Sequence, residues 1–294
     1  MSVARLRDLL GDALAGGWCV GYFEAWDQYS LEACLEAAEQ VRSPAILGFG
    51  AAVTDQGWLD RWGIEELAGL ARRLAEAAAV PAAVLFNEAR TVAQIERGLA
   101  AGCNAVMLDS SHLPFADNLA ATRQVVALAR RHAADVEVEL GHLPDARAAE
   151  PAGAKTDPEE ARRFVEATGV DALAVSAGSV HSMAGGAATI DLDRLAAIRA
   201  VVRVPLVLHG GSGIPADAIR PAAARGVAKI NYGLRMKQAF LDGLTAAAGA
   251  VPAGADIHEY IGAKTRRDVM VRGQERVREL VAGLMQLYGS AGKA

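Results

Sequence analysis

A chain of 294 residues suits one large domain or two small ones, and 52% apolar with 22% charged residues excludes a disordered, collagen-like or fibrous protein. Thirty basic residues against 35 acidic ones leave a formal charge of −5 with no long basic run, which argues against a nucleic-acid partner. Cys19, Cys34 and Cys103 are too far apart for a disulfide framework or a zinc knuckle, and they fit a reducing compartment.

The start, Met1-Ser-Val-Ala-Arg-Leu-Arg-Asp, carries charges throughout and has no apolar leader core. No segment reaches the ~18 uninterrupted apolar residues of a membrane span, so a cytoplasmic protein with no membrane partner is expected. A helix is expected over 3–16. Short runs rich in Val, Leu, Ile and Ala then recur at 18–22, 44–49, 81–86, 104–109, 135–140, 171–176, 204–209 and 226–231. Each is bounded by Gly, Pro, Asp or Asn, as buried parallel strands are. Stretches of helical period separate them. Arg61 to Ala79 puts Leu67, Leu70, Leu74 and Ala78 on one stripe, and Asp157-Pro158-Glu159-Glu160 reads as N-cap, N1 proline and acidic first turn.

Strand–helix units at this spacing predict an α/β chain folded as a (β/α)8 TIM barrel. The expected layout is a single domain over 1–294, with the barrel at 18–250, an extra N-terminal helix and C-terminal helices at 256–290, the last over 264–288. The rival is a doubly wound open sheet, but no Gly-x-Gly-x-x-Gly follows the first strand and no P-loop lysine motif occurs. The stretch 144–156 reads as a mobile loop inside the domain, and Gly249 to Gly254 as a flexible break before the C-terminal helices.

Barrel enzymes carry their chemistry at the C-terminal ends of the strands. Here those ends read Asn87-Glu88, Asp109-Ser110-Ser111-His112, Glu137-Val138-Glu139, Ser176 to His181, His209-Gly210-Gly211-Ser212-Gly213 and Asn231. Two histidines and several carboxylates on one rim suggest a divalent metal with a position open to substrate. His112, His132, His142 and His258 lack such a setting and read as structural or surface residues. The turn Gly210 to Gly213 reads equally as a cradle for an anion and as an ordinary βα turn that needs positive φ.

Several segments carry a family likeness: Pro205 to Gly213 (PLVLHGGSG), Asp135 to Gly141 (DVEVELG), Thr168 to Val175, Leu108 to Asn118 and Gly226 to Asn231 (GVAKIN). In order and spacing they resemble the class II, metal-dependent fructose-bisphosphate and tagatose-bisphosphate aldolases over about residues 3–250. The resemblance implies a (β/α)8 barrel holding zinc by three histidines, with an enediolate formed from a dihydroxyacetone phosphate unit. His181 and His209 match two zinc ligands. Asp109 and Glu139 match rim carboxylates that assist the metal, and Gly178, Gly211, Ser212 and Asn231 match phosphate- or ketose-binding positions, with Gly210 in the same turn. A small-molecule substrate and a homodimer or homotetramer are implied as well.

The pattern departs where the family reads Asp-His after its third strand, because this chain has Asn87-Glu88. Glu88 can replace a histidine ligand, and its negative charge opens the site to Mg, Mn, Co or Fe beside zinc. Asn87 can hydrogen-bond a hydroxyl but cannot move a proton at neutral pH. The family's Phe-Asn near the end of strand 1 is Phe23-Glu24, its serine after strand 2 falls in Gly48-Phe49-Gly50, and its lysine after the sixth strand falls in Ala184 to Ala187. Tyr232-Gly233-Leu234 replaces the usual residues after Asn231, with Arg235 supplying a new charge. The expectation is a metal-dependent aldolase or related lyase acting on a ketose or ketose phosphate other than fructose bisphosphate. His181, His209 and Glu88 hold the metal in that reading, and Glu24, Asp109 or Glu139 moves the proton in place of Asn87. Two alternatives stay open: an isomerase, epimerase or condensing enzyme using the same enolate, and a non-catalytic sugar-phosphate-binding barrel.

Overall fold

The computed structural model describes residues 3–52, 54–141, 143–144, 146, 155–180 and 187–294. Within them strand and helix alternate along the chain. The order begins α1 (Leu6–Gly16), β1 (Val20–Phe23), α2 (Gln28–Val41), β2 (Ala45–Gly50), α3 (Gln56–Trp58), α4 (Ile64–Ala77) and β3 (Ala82–Ala89). It continues α5 (Val92–Ala100), β4 (Ala105–Leu108), α6 (Phe115–Arg131), β5 (Asp135–Leu140), α7 (Pro158–Thr168), β6 (Ala172–Val175) and α8 (Leu192–Val201). Then come β7 (Leu206–Leu208), α9 (Ala216–Ala223), β8 (Val227–Tyr232), α10 (Leu234–Gly249) and α11 (Val269–Tyr288). The strands pair in parallel in sequence order and β8 closes on β1, a (β/α)8 barrel as expected.

Expected strand positions hold to within about two residues, apart from the far end of β3. β3 runs three residues beyond the expected end at 86 and carries Asn87 and Glu88 within it. The helix expected from Arg61 begins instead as a π-helical turn over Leu59–Gly63 and becomes regular at Ile64, ending at Ala77. The Trp58 ring lies where a side chain on Gly63 would stand, so only glycine fits at the end of that widened turn. The C-terminal helix starts at Val269, five residues later than expected, because Asp268 caps it by accepting from Met270 N. The start expected at Asp157 is present, with Oδ1 accepting from Glu159 N and Glu160 N.

Alternate residues of the strands build two layers of core. Val20, Tyr22, Ile46, Ala83, Leu85, Ala105, Ala172, Ala174, Val207 and Ala228 fill the barrel interior. Five of those are alanine, so the interior is narrow, and Leu6, Leu9, Leu10 and Ala13 of α1 join the same cluster and close one end. The other strand residues pack outward against the surrounding helices. Charge fastens α1: the buried carboxylate of Asp135 at the start of β5 accepts from Arg5 and from Arg7 Nε at 2.6 Å, while Arg130 reaches Asp171 at 2.8 Å. At the outside, α11 packs on α2 and α10, and Tyr288 stacks on Phe23 with ring centres 6.2 Å apart. No helix among the described residues is long and apolar enough to cross a membrane.

Candidate active site

The strand ends opposite α1 bring the expected rim residues together. Their placement depends on two irregularities in the sheet. Between β3 and β4 the register moves from Phe86↔Val106 to Ala89↔Leu108, three residues against two. Asn87 and Glu88 lie in that bulge, and Glu88 takes φ +51°, a left-handed conformation unusual for glutamate. Between β7 and β8 it moves from Leu206↔Val227 to Val207↔Lys229, so consecutive residues Ala228 and Lys229 both stand inside the barrel.

His209, which follows β7, is the hub. Its ring is fully buried, with Nε2 3.0 Å from Glu137 Oε1 and Nδ1 3.2 Å from Glu88 Oε1 and 3.1 Å from Glu139 Oε2. Burial alone would disfavour a charged imidazole, but the hydrogen bonds to Glu137, Glu139 and Glu88 outweigh it and lift the ring well above its ordinary pKa. Glu137 is pulled the other way. Burial would raise it, yet the charge of Lys229 and the bond to His209 hold it below the usual carboxylate value. Lys229 lies 2.8 Å from Glu137 Oε2 and 2.6 Å from Asn231 Oδ1, with no exposed surface. The sequence placed Glu137 among the strand-end residues of β5 without giving it a role, and Lys229 was legible only as part of the segment Gly226 to Asn231, where no motif marks the bulge that turns it inward.

The remaining expected residues stand at or after the ends of other strands. Asp109 follows β4 at the mouth, accepts from Ser111 Oγ at 3.3 Å, and is raised by burial and then by the charges of Glu88 and Glu139. Glu24 follows β1, and a side chain on Gly50 or Gly233 would collide with its carboxylate, so those glycines leave it room. Gly210 needs φ +71° and passes so close to the Val180 carbonyl that no side chain fits. It is an ordinary βα turn in that respect. Gly211 and Ser212 follow in a 3-10 turn, Gly178 stands at positive φ after β6, and the Tyr232 hydroxyl joins Ser212 and Arg235. His181, the expected second ligand, lies outside the described residues, as do His142, the 184–186 part of the altered lysine position and most of the 144–156 stretch.

Asn87 Oδ1, Ser179 Oγ, Asn231 Nδ2 and Tyr22 OH are among the buried polar atoms that find no hydrogen-bond partner among the described residues. Buried polar groups are nearly always satisfied, so Asn231 Nδ2 and Tyr22 OH, on residues that meet Lys229, mark a place for a polar ligand. Among the described residues, no group of three or more His, Cys, Asp and Glu side chains is arranged to hold a metal by itself.

A family model for fructose-bisphosphate aldolase class II matches residues 4–293. The chain belongs to the class II fructose-bisphosphate aldolase family. Among solved structures it is similar to the YdjI aldolase from Escherichia coli K12, at 29% identity and a TM-score of 0.82 over 99% of both chains. A Coccidioides immitis protein provisionally named a fructose-1,6-biphosphate aldolase is 26% identical, with a TM-score of 0.85 over 100% of this chain and 99% of that one. Fructose-bisphosphate aldolase from Campylobacter jejuni shares the fold at 20% identity and a TM-score of 0.78, over 98% of this chain and 95% of that one. Class II family membership and these neighbours support an aldolase function acting on a small molecule.

Proposed function

We propose that this class II aldolase is metal-dependent and cleaves a ketose or ketose phosphate other than fructose bisphosphate. One observation carries the reading: Glu137 holds His209 by Nε2, which turns Nδ1 toward the carboxylates of Glu88 and Glu139. One imidazole nitrogen beside two carboxylates is a donor set that zinc and other borderline divalent ions accept. His209 and Glu88 would hold the ion together with His181, with Glu139 beside them, and zinc is the ion proposed. When bound, a divalent cation polarises a ketose carbonyl or hydroxyl as a Lewis acid.

The protein's own groups do the rest. Gly178, Gly210, Gly211, Ser212 and Arg235 bind the anionic end of the substrate, Asn231 donates to one of its oxygens, and the barrel wall excludes water. Asn87 can only orient a hydroxyl. The proton passes instead through a carboxyl, and Asp109 suits it, because burial and its acidic neighbours keep its proton to higher pH than an exposed aspartate. Glu24 and Glu139 complete the acidic wall.

The test is metal analysis of purified protein followed by assay against ketose phosphates and unphosphorylated ketoses. A stoichiometric divalent ion with cleavage of a ketose phosphate in preference to fructose bisphosphate is expected. Protein that takes up no divalent ion when zinc is supplied overturns the reading. Asn87 favours one second reading, isomerisation or epimerisation without cleavage, since an amide now stands where the family has its acid. Deuterium uptake from solvent without carbon–carbon cleavage would select it.

A further inference from the structure

Lys229 has no part in the reading above, although it is the most deeply placed cation of the site. An ammonium inside a barrel is costly unless its protons are met. Nζ lies 3.0 and 2.8 Å from the two oxygens of Glu137, 2.6 Å from Asn231 Oδ1 and 4.9 Å from the centre of the Tyr22 ring. Carboxylate, amide oxygen and aromatic face thus meet the ammonium.

The amide contact has a direction. An ammonium has protons to give and no lone pair, so the Asn231 atom that faces it is oxygen. Nδ2 must then turn away from Lys229. That nitrogen is buried and finds no acceptor among the described residues, on a residue 8% exposed at the end of β8 and beside the Gly211 turn. The same ammonium fixes Glu137, and Glu137 fixes the face of His209.

We propose that Lys229 is a positioning residue that locks the Asn231 amide with its nitrogen toward the substrate, and holds Glu137 against His209 at the same time. The substrate atom served is an acceptor, a carbonyl or phosphoryl oxygen or an oxyanion, and not a hydroxyl proton. The inference rests on the lyase reading above.

Asn231→Asp keeps the shape and the oxygen facing Lys229 while exchanging the outward donor for an acceptor. In cobalt-loaded protein it is expected to weaken dihydroxyacetone phosphate binding at least about tenfold. Lys229→Met is expected to weaken both dihydroxyacetone phosphate and Co(II) binding, Co(II) by about 10–100-fold with an altered visible spectrum. Because Lys229→Met strands a buried carboxylate, Lys229→Met with Glu137→Gln serves as the variant that keeps the pair neutral and the barrel folded. It is expected to bind dihydroxyacetone phosphate at least about tenfold more weakly, since nothing then orients Asn231. Wild-type affinity in Asn231→Asp or in the double variant overturns the proposal. If cobalt-loaded wild type fails to bind dihydroxyacetone phosphate, the ketose-phosphate form of the lyase reading fails. The Co(II) comparison then decides the role of Lys229, and an unchanged affinity and spectrum in folded Lys229→Met contradict it.

Discussion

Glu137 Oε1 stands 3.0 Å from Nε2 of His209, both side chains fully buried, and this single bond decides which ring nitrogen faces the barrel mouth. A carboxylate partner on one nitrogen fixes the ring and leaves the other nitrogen for a ligand. Glu137→Ala is expected to weaken zinc binding about 10–100-fold. It also leaves the Lys229 ammonium buried without its counter-charge, which costs about 3–5 kcal/mol of stability. Isothermal titration with zinc and denaturant melts measure the two effects separately.

Glu137 also gives the fold an acid limb. Lys229 and His209 overcome the effect of burial and depress this carboxyl below its ordinary value of 4.5. A depressed carboxylate adds stability that is complete above the unfolded-state value and is lost as pH falls through the folded one. The melting temperature of wild type should therefore drop more steeply than that of Glu137→Gln as the pH falls below the ordinary carboxyl value of 4.5. Parallel curves would assign the acid transition to other groups.

Glu88 holds a left-handed backbone at φ +51°. For a residue with a Cβ this costs on the order of 1–2 kcal/mol, close to the extra chain entropy that glycine loses on folding. Glu88→Gly should change stability by less than about 1 kcal/mol, whereas Glu88→Val, with a branched side chain at that φ, should destabilise by about 1–3 kcal/mol. Both should lose metal and turnover. Paired melts and metal analyses check it.

Asn87 lies within β3, and an amide there cannot pass a proton at neutral pH. Asn87→Asp combined with Glu88→His restores both the acid and the imidazole of the family pattern. A gain in fructose-bisphosphate cleavage of about 10²-fold or more is expected from general acid–base catalysis alone. A coupled assay of triose phosphate release measures it.

Asp135 lies at the opposite end of the barrel, under Arg5 and Arg7. Asp135→Asn should cost about 1–3 kcal/mol through weakened charge-assisted hydrogen bonds to α1. Zinc affinity should stay the same, which separates loss of fold from loss of site.

The barrel was legible because its strands are apolar runs of regular length and its helices carry caps such as Asp157, so local pattern and global fold agree. His209, Glu88 and Glu139 were legible from their places at strand ends, and the structure brings those three together. Lys229 was not, because period-2 alternation breaks at a bulge and nothing in Gly226 to Asn231 announces an extra residue. The π turn before α4 escaped for a similar reason: helical spacing extends smoothly back to Arg61, and nothing in it announces the wider turn over Leu59–Gly63.

The central claim is tested most directly by the anomalous diffraction of crystals grown with zinc. A single strong peak bonded to His209 Nδ1, Glu88 and His181 is the predicted result. A zinc-supplied crystal in which His209 Nδ1 bridges Glu88 and Glu139 with no such peak would contradict it.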